Sequence, residues 1–85
     1  LRLIRVRARA QAQEAVRRTS GGEDFGAVAR ALSEDPSAGQ GGDLGVVRLA
    51  DLAEPLRSAV TALRPGEVSS VVEIEGSFVV LKRER

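Results

Sequence analysis

Cysteine, histidine, methionine, tryptophan and tyrosine are all missing from the 85 residues. Without cysteine there is no disulfide framework and no thiolate nucleophile, and either redox compartment suits the chain. Without methionine the chain has no start of its own, so it reads as a domain excised from a longer protein, with any signal peptide or neighbouring module outside it. Phe25 and Phe78 are the only aromatics, so a core must be built from Val, Leu, Ile and Ala. No apolar run approaches the ~20 residues that a membrane-spanning helix needs.

What remains suits one small domain, residues 1–85. Apolar residues make up 42%, enough for a single modest core. Stability on the order of 5 kcal/mol is expected, because small domains bury proportionally less surface. The net charge of +1 creates no global field for a polyanion. Arg2, Arg5, Arg7, Arg9, Arg17 and Arg18 nevertheless crowd the start, opposed only by Glu14. We read them as a solvated strand edge and helix face rather than an anion-binding patch. The run has no interleaved aromatics on which bases could stack, which argues against a nucleic-acid partner.

Leu1, Leu3 and Arg5 alternate with Arg2, Ile4 and Val6, predicting a short strand. A helix is expected over about Arg9–Thr19 with Ala12, Val16 and Thr19 on one stripe, stopped by Gly21-Gly22. Asp24 is placed to cap a second helix, whose Phe25, Val28, Ala29 and Leu32 form a buried stripe. Pro36 ends that segment. Leu44–Val47 is a candidate short strand, and a third helix is expected over about Glu54–Leu63 with Pro55 in its first turn. Arg64-Pro65-Gly66-Glu67 suits a type II turn. Val68–Ile74, Glu75-Gly76 and Ser77–Lys82 read as a β-hairpin. The order is that of an α+β fold with an antiparallel sheet, the first and last strands near its centre.

Several local motifs follow one another in a telling order: Gly22-Glu23-Asp24-Phe25, Ala29 to Leu32, Ser33-Glu34-Asp35-Pro36-Ser37-Ala38, and Gly41-Gly42-Asp43-Leu44-Gly45. Ala62-Leu63-Arg64-Pro65-Gly66-Glu67-Val68-Ser69 and Gly76-Ser77-Phe78-Val79-Val80-Leu81 complete the series. Over essentially the whole chain they resemble the parvulin family of peptidyl-prolyl cis-trans isomerases. The resemblance implies a four-stranded antiparallel sheet wrapped by about four short helices, and a shallow groove for an extended peptide around an X–Pro bond. It implies no cofactor and no metal. It also implies an unfolded or extended polypeptide partner, no direct membrane insertion, and an extracytoplasmic place (periplasmic or cell-surface) beside a covalently linked helical chaperone module.

The family's reaction breaks no bond. The barrier of about 18–20 kcal/mol is lost amide resonance, and the twisted amide is less dipolar than the planar one. An apolar pocket that grips the proline ring and excludes water can favour it. A thousandfold acceleration needs only about 4 kcal/mol of differential stabilisation.

Mapped residue by residue, the resemblance is uneven. Family histidines of the first and last strands correspond here to Leu3 and Phe78, which are expected to pack on one another, either as core or as an apolar groove floor. Asp35 stands where the family places a cysteine or aspartate beside the reacting amide; it is the catalytic candidate, with a plain turn-starting role as the alternative. Leu44, Leu52 and Leu56 correspond to the proline pocket, with leucine where the family has methionine and phenylalanine. The loop after the first strand is short and offers only Arg7 and Arg9, so phosphopeptide specificity is a minor expectation. The favoured reading is an isomerase-type folding domain that binds extended proline-containing or apolar segments with weak or absent catalysis. A fully active isomerase with an atypical site and a non-catalytic assembly domain are the alternatives.

Overall fold

The computed structural model describes residues 1–85. The chain forms β1 (Arg2–Val6), α1 (Arg9–Ser20), α2 (Phe25–Leu32), a 3-10 turn at Pro36–Gln40, another at Leu49–Asp51, α3 (Leu56–Thr61), β2 (Val72–Ile74) and β3 (Ser77–Lys82). The sheet is antiparallel in the order β1-β3-β2. Only the last strand is therefore central, whereas β1 was also expected there.

Alternation along the strands divides the core between the two sheet faces. Ile4, Val6 and Val80 pack with Ala12 and Ala15 of α1 and Phe25, Val28 and Ala29 of α2. Leu3, Val79 and Leu81 pack with Val60 of α3. Ile4, Val6, Val28, Val79, Val80 and Leu81 are the largest fully buried side chains, each contributing roughly 1.5–3 kcal/mol through burial.

Helix α1 turns Ala12 and Ala15 inward, with Val16 partly buried. Thr19 was expected in that stripe, but its hydroxyl bonds back to the Ala15 carbonyl at 2.9 Å. The helix stops where Gly22 adopts φ +102°. Asp24 caps α2 as expected, accepting the Ala27 N–H at 3.0 Å.

Several boundaries differ from expectation. Leu44–Val47 is not a strand; Asp43 makes only an isolated bridge to Arg2. The Asp43 carboxylate accepts the Gly45 N–H at 2.8 Å and Gly45 has φ +70°, so a local turn replaces the ladder. The third helix is shorter than its apolar stripe suggested, with Pro55 at its N-cap position. The Val68–Ile74 segment is a strand only at Val72–Ile74. Val68 pairs with Lys82 but Val72 pairs with Val79, which leaves one extra residue on the outer side: a bulge. At the bulge, Ser69 accepts the Leu81 N–H on its hydroxyl at 2.9 Å. These interruptions leave a three-stranded sheet where four strands were expected. The two turns agree with the sequence reading: Gly66 has φ +89° after Pro65, and Glu75 and Gly76 both have positive φ, as a tight hairpin requires.

The stretch Ser33–Leu44 lies along the outer edge of β1. Leu44 N–H donates to the Leu1 carbonyl at 2.9 Å, and Leu3 N–H to the Gly42 carbonyl at 2.9 Å. Further along, Arg5 N–H reaches the Ser33 hydroxyl at 3.2 Å, Glu34 N–H reaches the Arg5 carbonyl at 2.7 Å, and Arg7 N–H reaches the Glu34 carboxylate at 2.7 Å. The loop thus supplies the hydrogen bonds of a neighbouring strand without being one. Gly42, at φ +76°, has no room for a Cβ, which would overlap the Leu3 carbonyl oxygen.

Candidate functional site

Asp35 sits where the edge-covering loop enters its 3-10 turn, and both carboxylate oxygens are engaged. Oδ2 accepts the Ser37 N–H at 3.0 Å and the Ser37 hydroxyl at 2.5 Å, which caps the turn. Oδ1 lies 3.1 Å from Nη2 of Arg5. The Asp35 side chain is 16% exposed and that of Arg5 45%, so the pair stands at the rim rather than in the interior.

On β1, Arg5 shares its face with Leu3, opposite Val79. Leu52, Leu56 and Ile74 pack half-buried on the cluster that contains Leu3, Val79 and Leu81. The structure therefore brings Leu3, Leu52 and Leu56 together, with the Arg5–Asp35 pair at the edge of the same strand. Leu44 is 37% exposed, and its backbone is tied to Leu1, which packs on that cluster.

Phe78 departs from this arrangement. Its cross-strand partner is Val6, and it packs on the α1/α2 side with Ile4 and Val6. The Arg9 guanidinium lies 4.8 Å from its ring centroid and also binds Glu73 at 2.8 Å. Leu3 and Phe78 do not pack on one another, because alternation sends them to opposite sheet faces.

Other features were not singled out in the sequence. Arg5 was read as part of a solvated stripe, although its alternation with Leu3 already placed it on the Leu3 face. Arg2, Arg5, Arg9, Arg17 and Arg18 each pair with a carboxylate, which fits the solvated-face reading of that run. A groove of about 550 Å³ opens beside the Leu3 cluster, sharing Leu52 with the candidate site and lined also by Leu1, Val46, Val47, Leu49 and Val60 among others. Val46 is 96% exposed there. A smaller polar cleft of about 270 Å³ adjoins the ion pair, lined by Arg5, Val6, Arg7, Glu34 and Ser77. At the start of α3, the Ser58 hydroxyl and amide both donate to the Glu54 carboxylate, at 2.7 and 3.1 Å. These bonds hold its pKa below the ordinary glutamate value.

An antiparallel sheet with α1 and α2 on one face, α3 on the other, and a glycine-rich loop covering one edge defines a parvulin-like α+β protein. Solved structures share this fold. PrsA of Bacillus cereus, a peptidylprolyl isomerase, superposes with a TM-score of 0.93 at 28% identity, over 99% of this chain and 33% of that one. NmPin, the parvulin of Nitrosopumilus maritimus, superposes with a TM-score of 0.84 at 31% identity, over 96% of this chain and 89% of that one. The chaperone SurA of Ralstonia nicotianae is 40% identical over 76 residues, which is 88% of this chain and 15% of that protein. The chain belongs to the rotamase family, the PPIC-type PPIase domain, which matches residues 4–85.

Proposed function

We propose that the domain acts in protein folding, receiving extended proline-containing or apolar segments across Leu44, Leu52 and Leu56 with Leu3 beneath, and isomerising X–Pro bonds slowly. The observation that carries this reading is the half-buried pair Leu52 and Leu56 on the cluster that contains Leu3, on the sheet face that also bears Arg5, the partner of Asp35. Such a surface can hold a proline ring and shed water from the amide. Asp35 enters the reading as a residue that shapes the site, since both its oxygens already have partners. The likeness to SurA and PrsA, both much longer than this chain, supports a place within a multidomain chaperone outside the cytoplasm. No helix is long and apolar enough to cross a membrane.

Exchange NMR on Ala-Pro and Leu-Pro peptides tests the proposal. Peptide should shift the amides of Leu44, Leu52 and Leu56, with turnover well below that of a histidine-containing parvulin. Silence of those amides at millimolar peptide removes the binding site. Turnover at the full rate of such a parvulin, abolished by Asp35→Ala, replaces the weak-catalysis reading with an active enzyme. The exposed groove around Val46 and Leu49 favours the assembly domain as the second reading.

A further inference from the structure

We propose that Arg5 donates the hydrogen bond that stabilises the twisted prolyl amide. The proposal rests on the reading that the Leu3–Leu52–Leu56 face receives the X–Pro segment. As the amide twists, the prolyl nitrogen recovers its lone pair and becomes a hydrogen-bond acceptor. A fixed cationic N–H directed at it lowers the barrier without any covalent step or proton transfer, because the new acceptor exists only near the transition state.

Along β1 and its covering loop Arg5 is the donor that remains, while at α3 the Arg57 guanidinium is taken up by the Leu49 and Leu52 carbonyls. Asp35 is a carboxylate and only accepts. The Ser37 hydroxyl is committed to Asp35, and the Glu34 carboxylate accepts the Arg7 amide. Arg9 is held on the opposite sheet face by Phe78 and Glu73. Arg7 lines the polar cleft, but its guanidinium has no partner that would fix it. Arg5 combines the needed properties. It stands in register with Val79 on the Leu3 face, and Asp35 anchors its Nη2. Its side chain is 45% exposed beside the cleft, and the guanidinium carries five N–H donors, so most remain free for a ligand. A guanidinium also stays charged at any working pH.

The test is exchange NMR of a Leu-Pro peptide with the wild-type chain, Arg5→Met, Arg5→Lys and Asp35→Asn, with peptide affinity read separately from amide shifts. Arg5→Met should lower kcat by about tenfold or more, in line with the loss of one preorganised donor from a partly solvated site. Affinity should stay within about twofold, and Arg5→Lys should restore part of the rate. If Arg5→Met fails to fold, Asp35→Asn decides. It keeps a capping side chain but releases the anchor, so kcat should fall with affinity unchanged. An unchanged kcat in the decisive variant overturns the role of Arg5, as does a loss that lies wholly in affinity. Wild-type binding without turnover overturns it too, yet leaves the peptide-binding reading standing. Absence of shifts at Leu52 and Leu56 overturns the reading itself.

Discussion

Leu3 and Phe78 face away from one another: Leu3 lies opposite Leu81 and packs toward α3, while Phe78 lies opposite Val6 and packs toward α1 and α2. Their truncations should therefore add. Phe78→Ala is expected to cost about 2–3 kcal/mol, less than a fully buried phenylalanine, and Leu3→Ala about 2–4 kcal/mol. In a double-mutant cycle by urea denaturation the coupling should stay below about 0.5 kcal/mol. A larger coupling would put the two side chains in contact.

Gly42 and Gly45 both hold positive φ, but only Gly42 is crowded. Gly45→Ala should cost about 1–2 kcal/mol from the left-handed backbone alone. Gly42→Ala should cost clearly more, because the new methyl group would displace β1 from the loop that covers it. Urea midpoints of the two variants, compared side by side, check the order. Equal losses would mean that the loop yields without strain.

Asp35 caps the 3-10 turn through Oδ2 and meets Arg5 through Oδ1. Asp35→Ala should lower stability by about 1 kcal/mol, whereas Asp35→Asn should keep most of it, since asparagine caps about as well. The ion pair itself adds little at this exposure. Thermal denaturation of both variants separates the contributions. A loss as large in Asp35→Asn as in Asp35→Ala would assign the effect to the charge instead.

Glu54 titrates below its ordinary range because the Ser58 hydroxyl, and then the Ser58 amide, bond to its ionised form. The unfolded chain therefore binds this proton more readily than the folded one. The resulting stabilisation is fully present above the ordinary glutamate pKa of ~4.3 and is lost as pH falls through the lower folded value. Ser58→Ala should move the Glu54 titration, followed by carboxyl NMR, upward toward the ordinary value. An unmoved titration would assign the shift to another neighbour.

Much of this fold was legible because its signals are local. Asp24 ahead of Phe25, Pro65-Gly66 and Glu75-Gly76 specify a cap and two turns within a few residues, and all three occur. The buried stripe of α2 was legible for the same reason. What escaped depends on which of several competing hydrogen bonds a polar side chain makes. Leu44–Val47 was expected as a strand, but the Asp43 side chain bonds the Gly45 N–H and turns the chain instead. The bulge after Val68 arises because Ser69 substitutes its hydroxyl for a backbone acceptor, and serine alone does not announce that. Within the site, Leu52 and Leu56 were found through the family resemblance, and their helical spacing agrees. Placing Phe78 required the strand register, because one residue of slip exchanges the two faces.

The loop along β1 also bears on how such a domain handles extended chains. A bare strand edge is a row of unpaired donors and acceptors, a template for any extended polypeptide, including another copy of the same domain. Here the Leu1 carbonyl, the Leu3 N–H, both backbone groups of Arg5 and the Arg7 N–H are already taken up by Leu44, Gly42, Ser33 and Glu34. The opposite edge of the sheet is β2, only Val72–Ile74 long, interrupted by the bulge and carrying the exposed Glu73. Edge-to-edge aggregation is thereby discouraged on both sides, and an extended segment is left to meet side chains rather than the sheet's backbone.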